Sequence, residues 1–185
     1  MSEMPFVAGE TCYLRGIQPE DIPTITAWFN DPYNTRYTET GRTPLRPERF
    51  VERYAGPQPA STVRFAICQR DPQQLIGNIS LVEIHPVHRR AAIGIMIGER
   101  SAQGKGYGTA AMHLICEYAF RRLNLHSLWL DVVAANVGGV KAYQKVGFQV
   151  DCIERESVWA EGQFHDMLRM SLLARDYITQ WDTPS

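Results

Sequence analysis

Apolar residues along this chain alternate with polar ones or gather in short blocks, and in several places the spacing shifts to a helical period. Thr11 to Ile17, Val63 to Gln69, Leu75 to Ile84, Ala91 to Ile97 and Ser127 to Val133 read as strands. Phe148 to Trp159 and Phe164 to Leu173 read as a terminal hairpin. Pro19-Glu20-Asp21 opens a helix to about Phe29, its acids suiting the positive end of the helix dipole, and Asn30-Asp31-Pro32 ends it. Residues 31 to 47, with Gly41, Pro44 and Pro47, read as a loop, followed by a second helix from about Pro47 to Tyr54. Tyr107, Ala111, Leu114 and Tyr118 share one face of a longer helix, and Val137 to Val146 makes another. The order β-α-α-β-β-β-α-β-α-β-β predicts an α/β fold with a mixed sheet in one domain, residues 8–176, between terminal tails 1–7 and 177–185.

Composition narrows the function classes. An apolar content of 44% with 21% charged residues describes a globular protein with one filled core. A net charge of −1 gives no long-range attraction to nucleic acid or an anionic membrane surface. No apolar run approaches the roughly 20 residues that span a bilayer, and Met1 to Glu10 has no signal-peptide pattern. Cys12, Cys68, Cys116 and Cys152 are scattered, so they read as small hydrophobes in a reducing compartment, and the expected location is cytoplasmic. His85 and His88 have no third ligand nearby in sequence, so no metal site is expected.

The chemistry concentrates at Gln103-Gly104-Lys105-Gly106-Tyr107-Gly108-Thr109. Glycines alternating with larger residues let several backbone N–H groups converge on one anion, and the helix that follows adds its unpaired amides. A nucleotide-triphosphate loop is excluded, because Lys105 is followed by Gly106 instead of Ser or Thr. A dinucleotide turn would use Gly104 and Gly106 with Asp131 as the ribose acid, but Thr109 stands at its third glycine position. Coenzyme A is the third candidate.

Gln103, Gly106 and Gly108 resemble the pyrophosphate loop of the GCN5-related N-acetyltransferases (GNAT), Gln/Arg-x-x-Gly-x-Gly/Ala. Downstream, Asn136, Tyr143 and Gly147-Phe148 resemble the family's second signature. Nearly the whole chain is covered by this resemblance, nearest in pattern to the ribosomal-protein N-terminal and spermidine N-acetyltransferases. It implies a single-domain, largely antiparallel central sheet flanked by helices, acetyl-CoA as co-substrate, and direct transfer of acetyl to a small-molecule or peptide amine. The backbone of Ile95, Met96 and Ile97 would pair with the pantetheine arm, residues Gln103 to Thr109 would hold the pyrophosphate, and Asn136 would touch the coenzyme while capping its helix. Tyr143 would be the general acid that protonates the leaving thiolate.

Glu83 is the candidate base, since Leu81 to Ala91 is similar to the segment carrying a polyamine-site Glu in spermidine N-acetyltransferases. Two or three polyamine carboxylates of that group are replaced here, one at Ala92 and a pair around Glu39-Thr40-Gly41. Glu39, Trp28 and Tyr37 are the further acceptor-binding candidates, with Glu83. The acceptor therefore stays open between polyamines, peptide N-termini, aminoglycosides and amino-sugar nucleotides. Two other readings remain: a non-catalytic acyl-CoA-binding module, and a dehydrogenase on the same turn. The terminal and edge strands offer surfaces for homodimerisation.

Overall fold

In the computed structural model, residues 4–38, 43–51, 54 and 58–181 are described. Strands β1 (Val7–Ala8), β2 (Cys12–Gly16), β3 (Val63–Gln69), β4 (Gln74–His85), β5 (Arg90–Ile97), β6 (Ser127–Val133), β7 (Gln149–Ala160) and β8 (Gln163–Leu173) form one sheet. Their spatial order is β1-β2-β3-β4-β5-β6-β8-β7. Only β5 and β6 pair in parallel among the described strands; every other neighbouring pair is antiparallel. This is the mixed, largely antiparallel sheet that the resemblance implies.

Alternation along the strands sorts side chains onto two faces. On one, Ile67, Ile79, Leu81, Ala91, Leu128, Met170 and Leu172 meet Ala111, Met112 and Ile115 of α4 (Tyr107–Glu117). Burying each Leu or Ile there stabilises the fold by about 1.5–3 kcal/mol. Helix α5 (Val137–Val146) covers the same face through Val140, Tyr143 and Val146. The opposite face carries α1 (Ile22–Asn30), whose Ile22, Ile25, Trp28 and Phe29 pack with Phe50, Leu75 and Met96. A buried ion pair, Arg15 to Asp21 at 2.6 and 2.9 Å, ties β2 to the chain entering α1.

Three elements differ from the sequence reading. Pro32–Thr35 forms a short helix, α2, where a loop is expected; Asp31 caps it by accepting from Tyr33 N at 3.0 Å. Val7–Ala8, assigned partly to the N-terminal tail, forms β1 against Leu14 and Tyr13; the second expected helix begins at Pro47 as α3 (Pro47–Phe50), and Val51 and Tyr54 are helical as well. Residues Ala174–Trp181, assigned partly to a tail, form α6. Tyr177 explains it: this side chain is buried against Phe120, and its hydroxyl donates to His113 O at 3.2 Å. Ala174, Tyr177, Ile178 and Trp181 recur at i, i+3, i+4 and i+7, a helical spacing that a tail beginning at 177 cuts through.

Candidate active site

The sheet branches at its one parallel junction. β5 and β6 pair at Arg90/Ser127, Ala91/Leu128 and Ala92/Trp129, and then part. Beyond that point Ile93 to Ile97 stays paired with β4, and Leu130 to Val133 stays paired with β8. Among the described residues, each strand therefore presents an edge to the wedge between them with no strand beside it. Such edges are templates for an extended guest, which gains main-chain hydrogen bonds by lying along them. Ile95, Met96 and Ile97 lie on the β5 edge.

The glycine turn meets this edge. Gly104 and Gly106 have φ of 72° and 89°, and among the described residues no atom beyond their chain neighbours lies within 4 Å of where a Cβ would sit on either. Backbone handedness, not space, requires glycine here. Gly106 is the N-cap of α4, and the first bond of the helix runs from Ala110 N to Gly106 O at 3.0 Å. The amides of Tyr107, Gly108 and Thr109 thus have no partner within the helix and point from its positive end. A Cβ on Gly108 would lie 3.8 Å from Ile97 Cγ1, so the first turn of α4 rests on the end of β5. From Lys105, Gly106 and Thr109 a cleft of about 720 Å³ runs along α4 past His113 to Cys12 and Tyr177, with Lys145 of α5 on its wall.

Gln103 is a correction. Its amide donates to Arg100 O at 3.2 Å, and its side-chain Nε2 donates to Ile97 O at 2.8 Å and Asn34 Oδ1 at 3.0 Å. With these donors engaged, Gln103 leaves the anion-binding set and instead ties the turn to β5 and α2. Asn34 Nδ2 in turn donates to Gly98 O at 3.1 Å, and Arg100 pairs with Asp31 at 2.8 Å, holding the Asp31 carboxyl below its usual range. The strap 31–38 is thereby fixed to the β5 end of the wedge. At its other end Tyr37 packs near Val133 and sets its ring edge-on to His165, centroids 6.0 Å apart. Nothing in the sequence marked Asn34, which meets Gln103 from 69 residues away.

Asn136 caps α5 by accepting from Gly139 N at 3.1 Å. A Cβ on Gly139 would come within 2.8 Å of the Asn136 amide, so this glycine makes room for the cap. Tyr143, on α5, is partly buried against the core and near Phe148, with ring centroids 6.4 Å apart. Burial pushes its phenol up to about 12.

Glu83 stands in a β-bulge. The register jumps between Val82/Ala92 and His85/Arg90, and Glu83 takes φ of 54°, left-handed for a non-glycine residue. It is exposed there, which accounts for a charge within an apolar strand. Trp28 is a second correction: it is 8% exposed, and a Cβ on Gly98 would fall within 2.1 Å of its ring. Packed over Gly98 in the α1 core, it is not an acceptor surface. Glu39 lies outside the described residues.

Burial raises the Cys12 thiol to about 11 and pushes Cys116 up further, so neither is poised as a thiolate nucleophile. Cys152 departs from the expected buried set and is exposed on β7. His85 and His88 stack at 4.2 Å, and among the described residues no group of three or more His, Cys, Asp or Glu is placed to hold a metal. No helix among them is long and apolar enough to cross a membrane. Asp131, the acid of the dinucleotide reading, is held by Arg169 on the sheet face away from α4, which removes that reading's ribose contact.

A model of the acetyltransferase (GNAT) domain matches residues 12–149. The spermidine N(1)-acetyltransferase of Escherichia coli K12 is 37% identical over 108 residues, 58% of this chain and only 58% of that relative's length. The probable N-acetyltransferase YjcK of Bacillus subtilis is 32% identical, covering 91% of this chain and 97% of its own. Among solved structures, the spermidine N-acetyltransferase from Vibrio cholerae in complex with CoA and spermine is similar with a TM-score of 0.81 at 26% identity, over 92% of this chain and 99% of that one.

Proposed function

We propose, because the chain belongs to the acetyltransferase (GNAT) domain family, that it transfers an acetyl group from acetyl-CoA to a primary amine by direct attack in a ternary complex. The observation that carries this reading is the junction of the free amides at the start of α4 with the open edge of β5. One polar lining then serves a pyrophosphate at Gly104 to Thr109 and an extended pantetheine arm along Ile95 to Ile97. Asn136 flanks the arm from the start of α5.

In the reaction the amine nitrogen attacks the thioester carbonyl carbon. A backbone N–H on the β5 edge holds the oxyanion, as preorganised donors do in acyl transfer. The carbon–sulfur bond breaks, and Tyr143 gives its phenolic proton to the departing thiolate. The nitrogen sheds its surplus proton to Glu83 or to water, and Tyr143 is reprotonated from solvent. A phenol at about 12 is fully protonated at working pH, so the donor is always loaded. The same desolvation raises the thiolate's proton affinity, which brings donor and acceptor closer in strength. Buried Cys12 and Cys116 thiols favour direct attack over an acetyl-enzyme.

Spermidine and spermine head the acceptors to test, on the likeness to the Vibrio cholerae and Escherichia coli enzymes. The test is release of free thiol from acetyl-CoA with polyamines, aminoglycosides, amino-sugar nucleotides and N-terminal peptides. Amine-dependent release supports the reading. Silence across the panel, with coenzyme A still raising the melting temperature, would leave a binding module in its place.

A further inference from the structure

On the face of the sheet away from α4, Asp131 is the first side chain of β6 beyond the branch. Trp129, two residues earlier, is the last residue of that face still paired with β5. The matching place on β5 is Gly94, exposed and without a side chain; among the described residues only Ser80 Oγ, at 3.3 Å, lies within 4 Å of where its Cβ would sit. The other face is filled by α4 and α5. An amine that reaches a thioester lying in the wedge therefore comes from the side of Trp129, Gly94 and Asp131.

Asp131 is prepared for a cation. Arg169 Nε and Nη2 each donate to one of its oxygens at 2.8 Å, and the same guanidinium stacks 4.4 Å over the Trp129 ring. The fork fixes the plane of the carboxylate but occupies only two of its roughly four acceptor positions. The Asp131 side chain keeps 33% of its surface exposed. Glu154 also lies near Arg169, so the guanidinium faces two acids and the group is not net positive. A surface ion pair serving stability alone is worth about 0–1 kcal/mol and would have no bearing on substrate; its place at the branch is what separates the two readings.

We propose that Asp131 receives the ammonium of a primary alkylamine and, once that nitrogen has given one proton to water, aims its lone pair at the thioester carbonyl, with Arg169 as the positioning residue. It supplies a carboxylate beside Ala92, which has none. The inference rests on the acetyltransferase reading for its chemistry, but the binding step can be measured alone. Spermidine is titrated by calorimetry into the CoA-bound wild-type protein and into Asp131→Asn, and thiol release is assayed in parallel. The expected result is spermidine binding weakened about tenfold or more, roughly 1.4 kcal/mol, with coenzyme A affinity unchanged; KM for the amine rises while kcat moves less. Arg169→Lys, which keeps the charge but loses the fork, shows a smaller loss of the same kind. Equal spermidine affinity in Asp131→Asn overturns the proposal, as does absence of spermidine binding to the wild type, or a variant that also loses coenzyme A. Asp131-dependent binding without thiol release would keep the ammonium site and remove spermidine as the acetylated amine; the same silence across the wider amine panel would sink the acetyltransferase reading.

Discussion

Tyr143 carries two separable consequences of one burial. Its neutral form is the protonated one, and its folded pKa of about 12 lies above the ordinary value near 10. The stability this adds is complete below pH 10 and is lost as pH rises through 12. Denaturant stability of the wild type should fall over that window more steeply than that of Tyr143→Phe; parallel curves would contradict the assignment of the shift. The same variant should lose kcat on the order of 10²-fold while binding acetyl-CoA normally, and an unchanged kcat would remove Tyr143 as the acid. Glu83 separates backbone from side chain in the same way. A left-handed non-glycine residue costs about 1 kcal/mol, so Glu83→Gly should hold or raise the melting temperature. As the base, Glu83 should lose kcat in both Glu83→Gly and Glu83→Gln; full activity in the pair would return proton removal to water.

At the scale of elements, the strap 31–38 depends on a glycine that no motif marks. Gly98 lies under Trp28 and its carbonyl accepts from Asn34, so one residue sets both the seat of α1 and the path of α2. Gly98→Ala should destabilise the fold by about 1–3 kcal/mol through overpacking and raise KM for the amine, read from chemical melts and steady-state rates. A stable variant with normal KM would show that the strap is anchored elsewhere. The glycine turn and the Asn136 cap were legible in sequence because their determinants are local: positive φ at Gly104 and Gly106, and an Asn three residues before Gly139. The bulge at Glu83, the seat of Trp28 and the partners of Gln103 were not. Each is decided by residues distant in the chain or by a register slip that alternation does not encode.

For the whole molecule, the mixed sheet in one α/β fold followed from the order of elements, but the place of β8 between β6 and β7 and the branch between β5 and β6 did not. Both strands read as continuous apolar runs, and only their pairing reveals that three registers hold and the rest diverge. The branch, with the cleft along α4, also organises charge that a net value of −1 conceals. Lys105 and Lys145 reach the same cleft from the turn and from α5, both exposed, with Glu10 as the carboxylate among its lining residues. Coenzyme A carries a 3′-phosphate besides its pyrophosphate, and two ammonium groups beside the turn suit that second anion. Lys105→Glu with Lys145→Glu should weaken coenzyme A about tenfold, roughly 1.4 kcal/mol, and spare 3′-dephospho-CoA by comparison. Because both lysines face solvent, the difference between the two ligands should shrink as salt shortens the screening length. Calorimetric titrations at low and high salt measure both effects. Equal losses for the two ligands would assign the lysines to the pyrophosphate, and no loss for either would detach the cleft from the donor site.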